Sequence, residues 1–234
     1  MSVLGTIINV AAILVGGFLG LLFRKGLPER VSTTITHGLS LGIMVLGISM
    51  GVQTQNFLIV LISLALGAVI GEALNIEGRL NGLGGRLERK FGSGENSSFA
   101  QGFVTASLLY CTGSMAIMGA IEGGISGTYT ILVTKALLDG IFAIIFASTM
   151  GVGVLFAAVP VLLYQGAITL AAGTIKVFLT EPMITEMNAV GGVLIMGIGI
   201  NLLEIKSLRL GNLIPAIFIP ILLLWLMGCF GFSL

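Results

Sequence analysis

Charge is what this sequence has least of. Eleven Lys and Arg and ten Asp and Glu make up only 9% of its 234 residues, where soluble domains carry roughly a quarter. A chain so poor in charge does not have water as its main solvent, and a net charge of +1 offers no basic face for nucleic acid. Histidine occurs once, at His37, and cysteine twice, at Cys111 and Cys229. Without a ligand cluster or paired cysteine spacings, neither a metal site nor a disulfide framework is expected, and no cofactor is implied. Also missing are a Gly-x-Ser-x-Gly elbow, a Walker loop and a dinucleotide glycine loop, so an enzyme is not expected.

Long apolar runs are what is present. Hydrophobic residues make up 56% of the chain, and hydropathy with punctuation places spans near 3–23, 32–51, 56–75, 99–121, 129–150, 153–175, 185–203 and 212–232. Continuous apolar runs lack the alternation of a membrane barrel, so the expected fold is an all-α polytopic membrane protein of about eight helices. At ~20 residues per span little chain is left over, and 1–234 reads as a single transmembrane domain. The first run begins at Val3 with no basic residue before it and Arg24-Lys25 after it. That is the reverse of a signal peptide, and it is read as a retained span.

Basic residues set the expected orientation. Arg24, Lys25 and Arg30 follow the first span, and Arg79, Arg86, Arg89 and Lys90 lie in the third connection. Both connections are expected in the cytoplasm, with the N-terminus outside. Lys206 and Arg209 agree, while Lys176 dissents beside Glu181 and Glu186. Within 76–98, Leu80, Leu83, Leu87 and Phe91 recur at helical spacing with charges on other faces. This suits an amphipathic helix at the membrane surface, followed by a glycine- and serine-rich turn over 92–98; a solvated charged loop is the plainer alternative.

The two ends of the chain resemble each other. At an offset of 152, Ile43, Met44, Gly47 and Ile48 meet Ile195, Met196, Gly199 and Ile200, and Glu29 meets Glu181; at 155, Ala12, Ile13 and Phe23 meet Ala167, Ile168 and Phe178. Spans one to three (1–75, repeat A) then correspond to six to eight (153–234, repeat B), threaded in opposite senses around a central pair (99–150). Such inverted repeats build midplane sites in many carriers, whereas chance matching of apolar letters is the competing explanation.

Candidate site residues fall in two groups. Thr112, Gly113 and Ser114 interrupt span four, and Ser114 is expected to cap a second half-helix whose N-terminus suits an anion. The bland reading is that small residues let helices approach, as Gly16/Gly20 and Gly47/Gly51 also do. Glu122, Lys135 and Asp139 are charges within or near the bilayer core, costly unless paired or hydrated. Lys135 and Asp139, four apart, share a helix face and are expected to pair. Asn9, Gln165 and Asn201 are further polar candidates for a shared cavity, with Tyr164, Thr169 and Ser49; interhelical hydrogen bonding explains any one of them equally well.

The blocks GTIINVAAILVGGFLGLLF, GIMVLGISMG, GEALNIEGRLNGLG, CTGSMAIMGAIEGG and GGVLIMGIGINLLEIKSLRLGNLIPA carry a resemblance to the YqgA/YdfK-like family of bacterial inner-membrane proteins, a domain-of-unknown-function family. The resemblance covers nearly the whole chain. It implies a bacterial plasma-membrane location and several helical spans, and it implies no reaction. The physical features alone lead to two expectations. The first is a secondary transporter or channel for a small solute or ion, with the lipid bilayer as its surroundings and glycine faces that allow a homo-oligomer. The second is a non-transporting membrane scaffold or sensor.

Overall fold

The computed structural model describes residues 3–24, 28–91 and 98–229 and, within them, every side chain except those of 29, 83–85, 87–91 and 98. The helices run α1 Leu4–Arg24, α2 Glu29–Gly51, α3 Phe57–Leu74, α4 Ile76–Phe91, α5 Ser98–Cys111, α6 Ser114–Ser126, α7 Thr130–Met150, α8 Gly153–Phe156, α9 Ala158–Leu170, α10 Ala172–Phe178 and α11 Glu181–Leu202. A 3-10 segment, Leu210–Phe218, then leads into α12, Ile219–Cys229. No strand occurs among the described residues, as lipid requires of a chain that does not close into a barrel. Lys25, the turn over 92–97 and the end of the eighth span lie outside the described residues.

Local sequence explains where elements start and stop. The Asn56 side chain accepts from the Leu58 N–H at 3.1 Å and opens α3, and Asn75, at φ 45°, closes it. Pro182, in the first turn of α11, costs no helical hydrogen bond there. Pro215 inside the last span removes an N–H, and the chain there is wound as 3-10 rather than α. The helix expected in the third connection is present as α4; the side chains of Leu83, Leu87 and Phe91, on which its amphipathic reading rests, lie outside the described residues.

Among the described residues, seven helices are long and apolar enough to cross a bilayer, and the pair α5 and α6, bent by 59° at their junction, would make an eighth. The direction of α7 bears on how that pair counts. Gly5 faces Leu132, Gly16 faces Gly140 and Gly20 faces Ile144, so α1 and α7 run parallel. Four crossings separate parallel first and fifth spans, and α1, α2 and α3 supply only three. Counting the bent pair as one broken crossing agrees with that direction. Gly113, at φ 121°, permits the break because L side chains avoid that region.

The chain forms two compact units. The first holds α1, the opening of α2 up to Thr36, α4 from Leu80, and α5 to α10 apart from residues 112–114. Its seam is the α1–α7 contact, where a Cβ on Gly16 would collide with the carbonyl of Gly140 and one on Gly20 with that of Ile144. The second holds the rest of α2, α3, the start of α4, residues 112–114, and everything from Phe178 onward. Its hub is α11, of which 78% of the best membrane window is buried. There Gly47 of α2 meets the backbone of Gly192 and Met196, while Gly199 meets Ser40 and Met44, so α2 and α11 cross antiparallel. Gly67 and Gly71 of α3 likewise fit against Ala216 and Asn212. Outward-facing apolar side chains such as Val45, Val69 and Leu137 are each about two-thirds exposed and suit contact with lipid.

Candidate functional site

Three helices of the first unit bring charge and amide groups into its interior. Lys135 and Asp139, one turn apart on α7, pair with Nζ at 2.8 and 2.6 Å from the two carboxylate oxygens. Asn9 of α1 donates its amide to Asp139 Oδ2 at 3.0 Å and to Gln165 Oε1 of α9 at 3.2 Å. All four are sealed: Asn9 and Gln165 are fully buried and the ion pair is about 5% exposed. Asp139 lies nine residues into α7, ~13 Å along its axis at 1.5 Å per residue, which is mid-span. The sequence motivates Asn9, Gln165, Lys135 and Asp139 separately; only the fold joins them. Asn9 pairs with Gln165 rather than with its repeat counterpart Tyr164.

On α1 and α9, polar atoms continue from this cluster in one direction. Thr6 stands one turn from Asn9 on α1, and Thr169 one turn from Gln165 on α9. The helices are antiparallel, with Gly17 facing Leu155 as Asn9 faces Gln165. The two threonines thus share the level of Lys135, towards the N-terminal ends of α1 and α7. In the opposite direction the neighbours one turn away are Ile13, Ala143 and Val161, each fully buried and apolar. On α1, α7 and α9, polar side chains flank the pair on one side and apolar ones on the other, while Ser107 of α5 lies towards the apolar side.

Several buried atoms of this unit have no hydrogen-bond partner among the described residues: Thr6 Oγ1, Asn9 Oδ1, Ser107 Oγ, Tyr110 Oη, Glu122 Oε2, Gln165 Nε2 and Thr169 Oγ1. Buried polar groups are normally satisfied, and each orphan costs about 1–3 kcal/mol. Tyr110 and Cys111, which end α5, lie within electrostatic reach of Asp139. Glu122 is half-buried on α6, where Gly119 faces Leu132 and Gly123 faces Tyr129. It therefore sits near the N-terminal end of α7, further out than Lys135. The helix extends to Ser126, so Glu122 is not in the loop that the apolar pattern suggests.

The second unit receives the remaining candidates and uses them differently. Thr112 packs its methyl onto Gly191, and the Ser114 N–H donates to Asn188 Oδ1 at 3.0 Å. Gly113 takes the cap position expected for Ser114, which is already helical, and an α11 side chain holds one of the amides freed at the break. Asn201 engages Leu208 with both ends of its amide, at 2.9 and 2.8 Å, and closes the loop after α11. His37 is exposed.

Sequence reasoning misses Glu186. Fully buried on α11, it accepts from Thr54 Oγ1 at 2.5 Å and from the N–H groups of Gln55 and Asn56 at 2.7 and 3.2 Å. The available signal was Pro182, which starts the helix early enough to carry Glu186 inside. Also unforeseen were Tyr110 and Thr6, whose polar atoms are single letters in apolar runs.

The architecture and the sealed ion pair define a polytopic all-α membrane protein with a polar interior. The chain belongs to the family described as "Protein of unknown function (DUF554)", which matches residues 4–225. It is 34% identical over 231 residues to the "Uncharacterized membrane protein YdfK" of Bacillus subtilis (strain 168), covering 97% of this chain and 98% of that protein. To the "Uncharacterized protein YqgA" of Escherichia coli (strain K12) it is 32% identical over 219 residues, covering 92% and 93%. No solved structure matches.

Proposed function

We propose that the protein is a secondary carrier or channel for a small solute or ion, not an enzyme, with Asn9, Lys135, Asp139 and Gln165 as its central site. The observation that carries this reading is the buried mid-span ion pair with unpartnered polar groups of α1, α5 and α9 around it. Each charge costs about 3 kcal/mol at the centre of a bilayer, and interhelical hydrogen bonds return only about 0.6 kcal/mol apiece. Two leucines at 135 and 139 would hold the bundle more cheaply, which favours a working role over a structural one. Glu122 is an outer station of the same path.

Two further parts of the reading concern the whole chain. Spans one to three and six to eight act as inverted repeats. The α2–α11 contact supports this: adding 152 carries Gly47 onto Gly199, Ser40 onto Gly192 and Met44 onto Met196, so each glycine contact maps onto the other. The protein lies in the bacterial plasma membrane with its N-terminus outside, as the basic residues of α4 and of the segment after α11 favour. Purified protein in vesicles, screened against ions and small metabolites, tests the reading. Uptake should fall on the order of tenfold in Asp139→Asn, which weakens the charge-assisted bonds. A blank across a validated screen would favour a scaffold.

A further inference from the structure

We propose that the cluster takes a small monovalent oxyanion together with one proton; this deepens, and rests on, the carrier reading above. The first argument is the hydrogen-bonding capacity left over around the pair. Gln165 Nε2 can only donate, and Thr6, Thr169 and Tyr110 offer hydroxyls that can turn to donate, whereas Asn9 Oδ1 beside the pair, and Glu122 Oε2 further out, are carbonyl or carboxylate oxygens that accept. Apart from Glu122, these residues are at most 1% exposed. A surplus of donors beside an ammonium complements a ligand that is all acceptor, as a carboxylate or nitrate is. A cation would meet the same donors and the Lys135 charge as repulsion.

The second argument is the charge balance. With Lys135 as ammonium and Asp139 as carboxylate, the cluster is neutral. A monoanion entering alone would leave one uncompensated negative charge in the interior. If a proton from water bonds to a carboxylate oxygen of Asp139, that residue becomes neutral. Lys135 keeps all its protons and turns from Asp139 to the anion, so the site is neutral before and after. The transfer moves no net charge across the membrane. The groups around Asp139 leave it this role: Lys135 lies on its own helix, and Tyr110 and Cys111 come from α5. Tyr164 lies on α9, α6 carries Glu122 nearer the N-terminal end of α7, α1 presents Asn9 with Arg24 only at its far end, and the short α8 presents no titratable group.

The test uses full-length protein in vesicles loaded with a pH-sensitive dye, with the membrane potential clamped and protein-free vesicles as reference. Inward gradients of lactate, formate and nitrate distinguish organic from inorganic anions; choline and glycerol stand for cations and neutral solutes. The expected result is protein-dependent internal acidification driven by at least one anion, at a rate that does not change with the clamped potential. Asp139→Asn should move the anion without acidification and in proportion to the potential, and Lys135→Met should abolish anion uptake. Because losing a charge from the interior also threatens folding, Gln165→Leu and Thr169→Val serve as gentler variants. Each should raise the anion concentration for half-maximal uptake about tenfold, the loss expected for one hydrogen bond to a charged ligand; Thr169→Val, whose hydroxyl has no partner among the described residues, should unfold as the parent does, whereas Gln165→Leu also forfeits its bond to Asn9. The same anion should raise the thermal midpoint of the parent protein. Potential-driven anion uptake without acidification would overturn the proton. Transport of choline or glycerol with no anion moving would overturn the anion and leave the carrier standing. If nothing moves and nothing stabilises, both readings fall.

Discussion

Asp139 and Glu186 are both carboxylates sealed inside helices, and they differ in how they are satisfied. Glu186 accepts from one hydroxyl and two backbone N–H groups of a single connection, so it acts as a clasp between α11 and the α2–α3 turn. Replacing it with Ala removes the acceptor of the Thr54 hydroxyl and of the Gln55 N–H, while the Asn56 N–H keeps Thr54 Oγ1, and unfolding in detergent should show a loss of about 1–3 kcal/mol. Glu186→Gln, which still accepts, should lose less. Asp139 instead faces the Lys135 ammonium and an amide, beside atoms with no partner among the described residues. A carboxylate held by backbone is a structural part, whereas one held by a lysine side chain can exchange its partner.

Helices meet here where glycine lets them. The α1–α7 seam passes backbone against backbone at Gly16 and Gly140, and Gly16→Leu should cost about 3 kcal/mol or prevent assembly, as overpacking does, read as a fall in the thermal midpoint. Gly166 has nothing within reach of an added Cβ, so Gly166→Ala should leave stability within about 0.5 kcal/mol, the range of substitutions that meet no special feature. In span four, Gly113→Ala forces a side chain into φ 121°. It should destabilise the protein by about 1–2 kcal/mol or straighten the span, which a spin-label distance across residues 112–113 would detect. The glycine positions were legible in the sequence as small-xxx-small spacings. Which glycine faced which helix was not, because every glycine run in a membrane chain offers the same small surface.

For the molecule entire, orientation and repeat are separately testable. An alkaline phosphatase fusion at residue 127 should be active and one at residue 79 inactive, with green fluorescent protein fusions reversed. The α2–α11 contact predicts that cysteine pairs 40/199 and 47/192 cross-link with similar efficiency, since an offset of 152 interchanges them. Should either pair fail to form, the antiparallel α2–α11 contact on which the repeat argument leans is wrong. Seven or eight spans were legible from hydropathy, but the 59° bend within the stretch 99–126 is a feature of the fold.

Lipid leaves the backbone only one spanning solution for long apolar runs, so helix number, approximate span ends and the Lys135–Asp139 pairing followed from local letters and periodicity. The sequence alone also marked residues 112–114 as the weak point of span four, because glycine and small polar residues there cannot sustain a straight helix. Only the tertiary structure decided that Asn9, Asp139 and Gln165 share one interior, and that Ser114 and Asn201 are engaged elsewhere. Those three side chains are separated by 130 and 156 positions in the chain. No pattern within a single helix carries information about which face of another helix it will meet.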